Sequence, residues 1–251
     1  MFTIRSFGHT DIGRRRKQNE DSYLRNDELK LYAVADGMGG HAAGEVASAE
    51  AVDTIFGMVK RGLVNLGPES EPLTEEKITK ARRLIESAIQ GATYMIFSIS
   101  EVEASKNGMG TTISAAYIYK NMLVLGQVGE SRIYQIRDGN ATQLTEDHTL
   151  VGWQMKQGLI TEEEAKVSPH RNVITRSVGG REYVEVDTMV IELQRGDRYL
   201  LCSDGLHGYV TENEIPEFVE LGGDNATRAF IQLANDRGGA DNITAVLVEV
   251  D

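Results

Sequence analysis

Two adjacent amphipathic helix patterns constrain the fold of this chain more than any other feature of its sequence. Apolar residues recur at three- and four-residue steps over residues 74–102, and again over residues 46–59. Such spacing is typical of helices that bury one face. Only a short segment containing Pro68 and Pro72 separates the two patterns. We therefore predict an antiparallel helical hairpin.

Most of the remaining chain consists of short segments in which apolar residues alternate with polar ones or run together. These segments are typical of strands, and turn signals at Lys120-Asn121 and Asp138-Gly139 separate two pairs of them. Two further short helices are predicted at 212–220 and 224–236. This order favours a layered α+β fold over an alternating βαβ fold. The predicted strands are 2–7, 29–35, 111–119, 122–128, 131–137, 141–144, 183–193, 197–202 and 243–250.

The composition limits the partners that the chain can bind. Its 251 residues suffice for one substantial core, and we predict a single domain over residues 1–251. A net charge of −12 argues against broad contacts with nucleic acid or anionic membranes. Cys202 is the only cysteine, which excludes an internal disulfide and a zinc site built from cysteines. Short apolar runs and the absence of a secretory signal favour a cytoplasmic protein.

Three aspartates stand at the ends of apolar strand segments. Asp36 follows one strand in AVADGMGG, Asp204 follows another in LLCSDGL, and Asp241 precedes the last strand in RGGADNIT. If these strands lie side by side, with the last antiparallel to a neighbour, all three carboxylates reach the same edge of one sheet. We take this convergence as the working hypothesis for a functional site.

An Asp-Gly pair is usually a turn, and Asp138-Gly139 is such a case. After Asp36 and Asp204, however, apolar residues continue beyond the glycine instead of a returning strand. Two carboxylates about 4 Å apart repel by about 4 kcal/mol at an effective dielectric constant of about 20. Three converging carboxylates therefore need raised pKa values or a bound cation. Carboxylate, carbonyl and water ligands suit Mg²⁺ or Mn²⁺.

A basic run lies beside further acidic residues upstream, in RRRKQNEDSY, which contains Arg16, Glu20 and Asp21. Such a run is normally a solvated face of surface ion pairs. Here it adjoins the predicted metal edge, where Arg16 could hold a phosphate group through two parallel hydrogen bonds. A phosphate-binding arginine beside carboxylate-bound metals indicates hydrolysis of a phosphoester.

Taken in order, these motifs resemble those of the metal-dependent protein phosphatases, the type 2C or PPM Ser/Thr phosphatases, in their compact bacterial form. The resemblance covers essentially the whole chain. It implies a four-layer α-β-β-α sandwich, with two central antiparallel sheets flanked by helical hairpins and a binuclear Mg²⁺ or Mn²⁺ centre at one end. The motifs that carry it are RKQNEDS, VADGMGGHAAGE, GMGTT, VGESRIY, LTEDHTLV, RNVITRSVG, LLCSDGL and GGADNIT.

The resemblance also implies metal ligands at the matching motif positions. Asp36 matches the carboxylate that bridges both metals, and the Gly37 carbonyl matches a ligand of one of them. Asp204 and Asp241 match ligands of the other metal.

Other matching positions imply roles around the metals. Glu20 and Asp21 match positions that reach the first metal directly or through its waters, and Arg16 matches the phosphate-binding arginine. We expect Asn242 to brace Asp241 from behind the ligand shell. Residues 150–173 match a mobile flap beside the cleft.

Two positions depart from patterns in the family. The usual VGDSR motif reads VGESR here, so Glu130 replaces an aspartate that helps to hold a third, weaker metal in bacterial members. The extra methylene moves the carboxylate by about 1.5 Å, so affinity at the third site is an open question. Met38 occupies a position where eukaryotic members have a histidine assigned as general acid, and His41 need not inherit that role.

We predict that the protein hydrolyses phosphoserine and phosphothreonine in proteins, with a hydroxide bridging two metals as the nucleophile. By resemblance, a Ser/Thr kinase and its targets are the expected partners, and a monomer is expected. Two alternatives stay open at this point. One is a phosphatase-like regulatory module without useful turnover, which Glu130 alone favours, and the other is a phosphatase of small phosphoesters. Turnover assays on phosphopeptides and metabolites distinguish the three.

Overall fold

Two antiparallel β-sheets form the centre of the fold. The strands are β1 Ile4–Asp11, β2 Asp21–Asn26, β3 Leu31–Met38, β4 Gly110–Thr111, β5 Ile113–Tyr119, β6 Met122–Val128, β7 Arg132–Arg137, β8 Asn140–Gln143, β9 Asp187–Glu192, β10 Arg198–Cys202 and β11 Ile243–Val250. The computed structural model describes residues 2–39, 43–68 and 70–251. Within these residues, the first sheet has the order β1-β11-β10-β7-β8. The second sheet has the order β2-β3-β5-β6-β9, with β4 paired to β3.

Helices lie in three of the segments between the strands. They are α1 Gly44–Gly62, α2 Glu75–Val102, α3 Leu150–Lys156, α4 Glu162–Val167, α5 Asp204–His207, α6 Ile215–Val219 and α7 Gly223–Asp236. Helix α2 begins after Thr74, whose side chain accepts a hydrogen bond of 3.3 Å from the backbone nitrogen of Lys77. In the described part of the chain, no helix combines the length and the hydropathy needed to cross a membrane.

Three apolar clusters define the layers of the fold. Val34 of the second sheet and Leu201 of the first are both buried in the cluster between the sheets. Ile55 and Ile89 bring α1 and α2 into a cluster on the outer face of the second sheet. Phe230 of α7 lies in the cluster on the outer face of the first sheet. The layer order is therefore α-β-β-α, and the predicted α+β sandwich is confirmed.

The predicted elements agree closely with the observed ones, with two omissions, strand β2 and the short helix α5, and several shifted ends. Strand β2 is absent from the predicted set, although it pairs along its whole length with β3. The predicted strand 183–193 is shorter in the structure, where β9 begins at Asp187. The predicted strand 111–119 is divided into β4 and β5 at Thr112. The predicted flap at 150–173 contains α3 and α4.

A buried ion pair stabilises the end of the first sheet where β10 begins. The side chain of Asp197 is 1% exposed and accepts hydrogen bonds of 2.7 Å from both Nε and Nη2 of Arg137. The Tyr199 hydroxyl and the Gln194 backbone nitrogen each donate to it at 2.8 Å. Burial alone would raise the pKa of Asp197, but the hydrogen bonds outweigh burial and hold this pKa below its usual value.

We expect Asp197→Ala to lower the free energy of unfolding by about 3 kcal/mol, because it leaves Arg137 and other donors without their acceptor. Urea denaturation of the metal-free protein measures this change. Glu76→Ala is the matched control, since Glu76 is 76% exposed and forms a surface ion pair with Lys80, and we expect it to change the free energy by less than about 0.5 kcal/mol. A loss at Asp197 no larger than that at Glu76 would contradict the assignment.

Candidate active site

Asp36 comes from a different sheet than the other two predicted acids. It lies on β3 of the second sheet, whereas Asp204 follows β10 and Asp241 precedes β11 in the first sheet. The expectation that all three reach the edge of one sheet is therefore wrong for Asp36. It holds for Asp204 and Asp241, because β10 and β11 are antiparallel neighbours. The acids meet because the two sheets stack face to face.

The carboxyl groups of Asp36 and Asp204 lie close enough for each to affect the pKa of the other. The pKa of Asp36 is raised well above its usual value, first by burial and then by the charges of Asp21, Asp204 and Asp241. Burial and the charge of Asp241 also raise the pKa of Asp204. The structure thus brings together carboxylates that the sequence motifs single out, and their mutual repulsion contributes to the raised pKa values.

Asp21 is the most deeply buried member of this group, with 7% of the residue exposed. Its Oδ2 accepts hydrogen bonds from the Ser203 hydroxyl at 2.7 Å and the Thr244 hydroxyl at 2.6 Å. Burial raises the pKa of Asp21 to about 7, against the effect of these two hydrogen bonds. In the register of β2 and β3, Asp21 lies opposite Asp36. Strand β2, which is absent from the predicted set, therefore positions one of the predicted acids, Asp21, in the site.

Among the residues that the structure describes, two buried oxygen atoms of the site have no hydrogen-bond donor, namely Oδ1 of Asp21 and Oδ1 of Asp204. A buried acceptor without a partner costs about 1–3 kcal/mol, and a charged one costs more. A divalent cation would compensate both atoms, so the donor set fits such an ion. In the described segments, no three Asp, Glu, His or Cys side chains form a ready-made ligand group. Carboxylate oxygens are ligands that suit Mg²⁺ or Mn²⁺, and these ions also bind waters and carbonyl oxygens.

Gly37 lies where three parts of the backbone approach each other closely. Its nitrogen donates to the carbonyl oxygen of Glu20 at 3.0 Å. A Cβ atom at Gly37 would lie 2.1 Å from the Gly44 carbonyl oxygen and 2.6 Å from that of Glu20. Only glycine fits there, and this packing places the backbone beside Asp36 next to the start of α1.

Asn242 fixes the segment that carries Arg16 and Glu20. Its Oδ1 accepts from the Glu20 nitrogen at 2.8 Å, and its Nδ2 donates to the carbonyls of Ile12 at 3.0 Å and Gln18 at 2.9 Å. The predicted bracing of Asp241 comes from the backbone instead, since the nitrogen of Asn242 donates to Asp241 Oδ1 at 2.8 Å.

Arg16 lies at the mouth of the acidic group. Its Nη2 is 2.6 Å from Asp241 Oδ2 and its Nη1 is 4.0 Å from Glu20 Oε2. The Arg16 side chain is 46% exposed, so the guanidinium contacts both the partly buried carboxylate of Asp241 and solvent. A group with planar donors in this position can bind an anion that enters from outside.

Glu130 lies in the turn between β6 and β7, on the side of the site near Asp204. Burial, followed by the charges of Asp204 and Asp147, raises the pKa of Glu130 to about 8. His207 donates from Nε2 to the Glu130 carbonyl oxygen at 3.0 Å, which fixes the turn. The idea that Glu130 supports a third metal stays a prediction. Gly40 to Ala42, including His41, lie outside the described residues.

Several side chains that support the site are absent from the predicted set. The hydroxyls of Ser203 and Thr244 hold Asp21, as described above. Arg132 binds Asp147 through Nε at 2.9 Å and Nη2 at 2.6 Å, next to the Glu130 turn. Ser203 adjoins an acidic motif in LLCSDGL, and Thr244 follows one in GGADNIT. This adjacency is a signal that could have identified both.

The pKa of Asp21 predicts how the stability of the metal-free protein depends on pH. An aspartate whose pKa is about 3.8 unfolded and about 7 folded favours the folded state when protonated. Its contribution is fully present below pH 3.8 and is lost as the pH rises through 7. We expect Asp21→Asn, which mimics the protonated group, to raise the free energy of unfolding at pH 8 by about 1–3 kcal/mol but not at pH 4.

Urea denaturation in EDTA at both pH values checks this prediction for Asp21. Asp53→Asn is the control, because Asp53 is exposed on α1 and its substitution should leave the pH dependence unchanged. Equal effects of Asp21→Asn at pH 4 and pH 8 would contradict the prediction.

Comparisons with known sequences show which protein family this chain is similar to. Residues 12–222 match the family described as Protein phosphatase 2C. The chain is 40% identical over 247 residues to "Serine/threonine phosphatase stp" of Listeria monocytogenes serotype 4b, covering 96% of this chain and 94% of that protein. It is 39% identical over 249 residues to "Serine/threonine protein phosphatase PstP" of Mycobacterium tuberculosis, covering 98% of this chain and 45% of the longer relative.

Solved structures show the same similarity in three dimensions. A crystal structure of the Mycobacterium tuberculosis phosphatase PstP/Ppp superposes with a TM-score of 0.86 at 35% identity, covering 99% of both chains. The catalytic domain of PstP in complex with two manganese ions gives a TM-score of 0.85 at 35% identity, covering 100% of this chain and 99% of that one. From the match of sequence and fold, this chain belongs to the protein phosphatase 2C family.

Proposed function

We propose that this protein hydrolyses phosphoserine and phosphothreonine in proteins and that it uses two divalent cations, Mg²⁺ or Mn²⁺. The observation that carries the proposal is the gathering of buried carboxylates from distant parts of the chain, with two unpartnered oxygens, behind an exposed arginine. Family membership gives the reaction class, and the site supplies the residues that would perform it.

The proposed metal ligands are the residues that line this acidic group. Asp36 is close to Asp21 of its own sheet and to Asp204 and Asp241 of the other sheet. This position supports a role shared by both cations. Bound cations would supply an activated water and would neutralise charge on the phosphoryl group. The other proposed ligands are the Gly37 carbonyl, Asp204, Asp241, Glu20, Asp21 and, for a weaker third cation, Glu130.

Arg16 is proposed to bind the phosphoryl oxygens of the substrate. In the structure its guanidinium pairs with Asp241. If Asp241 binds a cation, the guanidinium can exchange this carboxylate for the phosphate group, for which its donors have the matching geometry. Asn242 would hold the segment of Arg16 in place through its three hydrogen bonds to the backbone at Ile12, Gln18 and Glu20.

The chain offers no cysteine for a covalent mechanism. Cys202, its only cysteine, is fully buried, and burial raises the pKa of this thiol to about 12. The thiol is therefore protonated at neutral pH and out of reach of a substrate. This supports direct attack by water over a phosphocysteine intermediate.

The proposal is tested by comparing kcat/KM for phosphoserine and phosphothreonine peptides with kcat/KM for a sugar phosphate, both with Mn²⁺ present. We expect the peptides to be preferred by at least about tenfold, or 1.4 kcal/mol. Preference for the sugar phosphate would favour a metabolite phosphatase. No turnover at saturating Mn²⁺, with turnover restored in Glu130→Asp, would favour a regulatory module.

Further parts of the proposal concern the setting in which the enzyme works. We propose that a Ser/Thr kinase and its targets supply the phosphorylated substrates, that the chain acts as a monomer in the cytoplasm, and that residues 1–251 function as one domain. The apolar cluster shared by both sheets supports the last point, because neither sheet buries its inner face alone.

A further inference from the structure

The longest run of consecutive cations in this acidic chain includes the proposed phosphate-binding arginine, Arg16. Arg14, Arg15, Arg16 and Lys17 follow one another in a protein whose net charge is −12. Like charges in sequence repel and are normally dispersed or neutralised. Their concentration at the mouth of the site gives this part of an acidic protein a local positive charge.

Internal ion pairs neutralise two of these four cations. Arg14 donates from Nε to the Asn235 carbonyl at 2.7 Å and pairs with Asp236 at 3.2 Å. Arg16 pairs with Asp241 at 2.6 Å. The segment is therefore fixed on both sides of Arg15, which reduces the entropy lost when an external ligand binds there.

The other two cations of the run are Arg15 and Lys17. Both are exposed, and their side chains make no ion pair or hydrogen bond with any residue that the structure describes. Neighbouring Cα atoms are about 3.8 Å apart, so the two residues flank Arg16 directly. Successive residues of an extended peptide are spaced by about 3.3 Å. Side chains within two or three residues of a phosphate held by Arg16 thus come within about one Debye length of Arg15 and Lys17.

We propose that Arg15 and Lys17 form a subsite that favours acidic side chains on either side of the phosphorylated residue. The substrate class is then the anionic phosphopeptide, with Asp or Glu within about three positions of the phosphoserine or phosphothreonine. This inference rests on the proposed phosphatase activity and adds sequence preference to it. Arg16 binds the phosphate itself, whereas Arg15 and Lys17 attract acidic side chains of the peptide beside it.

The test uses three phosphothreonine peptides that differ only in having acidic, neutral or basic flanking residues. For the wild-type protein with Mn²⁺ at low salt, we expect kcat/KM to be about three- to tenfold higher for the acidic than for the neutral peptide, and lower still for the basic one. The difference should arise mainly in KM, since these contacts lie away from the reacting atoms. It should shrink as salt is added, because exposed charges are screened.

The decisive comparison is between two double charge reversals. Arg15→Glu with Lys17→Glu should invert the order, so that the acidic peptide becomes the poorest substrate. Arg82→Glu with Arg83→Glu makes the same change in net charge on the exposed face of α2 and should keep the wild-type order. Using the ratio between peptides within each variant removes differences in the amount of folded enzyme.

Two outcomes overturn the inference in different ways. Equal kcat/KM for the three peptides, or an order that survives reversal at Arg15 and Lys17, would overturn the subsite while leaving the phosphatase activity established. No hydrolysis of any of the peptides would overturn the proposed function, and the subsite with it.

Discussion

Replacing Asp36 by asparagine is expected to lower kcat for p-nitrophenyl phosphate by about 10³-fold or more. Asp36 is the proposed carboxylate ligand that comes from β3, and its pKa responds to the charges of Asp204 and Asp241 from the opposite sheet. Losing its charge removes the group shared by both cations, and preorganised electrostatic stabilisation is usually the largest contribution to such catalysis. The side chain keeps its size, so the fold should persist.

Kinetics at saturating Mn²⁺, together with circular dichroism, check the effect of Asp36→Asn. The matched control is again Asp53→Asn, which removes one carboxylate from the exposed side of α1 and should leave kcat within about twofold of wild type. We also expect metal-free Asp36→Asn to unfold at a higher urea concentration than the wild type, because it relieves repulsion among the buried acids. Full activity in Asp36→Asn would rule out the proposed site.

Removal of divalent cations is the second change with a large expected effect. EDTA should abolish hydrolysis of p-nitrophenyl phosphate, and added Mn²⁺ should restore it. The same addition should raise Tm by roughly 5–10 °C at a Mn²⁺ concentration about 100-fold above Kd, since binding to the folded state alone adds about 2.7 kcal/mol. Physically, the cations supply partners to the orphaned oxygens of Asp21 and Asp204.

Thermal denaturation and turnover measured on the same samples test this prediction independently of each other. Asp21→Asn and Asp204→Asn should each reduce the rise in Tm, whereas Asp53→Asn should keep it. Turnover that continues in EDTA, or a Tm that does not respond to Mn²⁺, would contradict the assignment of these acids to a metal centre.

The helical layers and most strands could be predicted because their residues follow the period of the element. Helix α2 keeps one apolar face over its whole length, and the observed bounds Glu75–Val102 differ from the prediction by one residue at the start. Strand β2, with the sequence DSYLRN, has no such signal. It lies at the edge of its sheet, where one side lacks a neighbour, and its pairing with β3 rather than its own pattern makes it a strand.

The site residues could be identified as motifs, but their arrangement could not be predicted from the residues alone. An apolar strand does not reveal which sheet it joins, so the residues alone place Asp36 and Asp204 on one sheet, whereas they come from opposite sheets and meet where these stack. The support of Asp21 by Ser203 and Thr244 joins residues far apart in the sequence. Hydroxyl groups have no periodic pattern, and only the packing of the two sheets shows which of them face an acid.

Diffraction from crystals soaked in Mn²⁺, recorded at the manganese absorption edge, tests the proposed metal centre most directly. We expect two strong anomalous peaks among Asp36, Asp204 and Asp241, at the end of the sandwich where the two sheets bring these acids together. Peaks located elsewhere, or no peak at this position in crystals of active protein, would contradict the proposal.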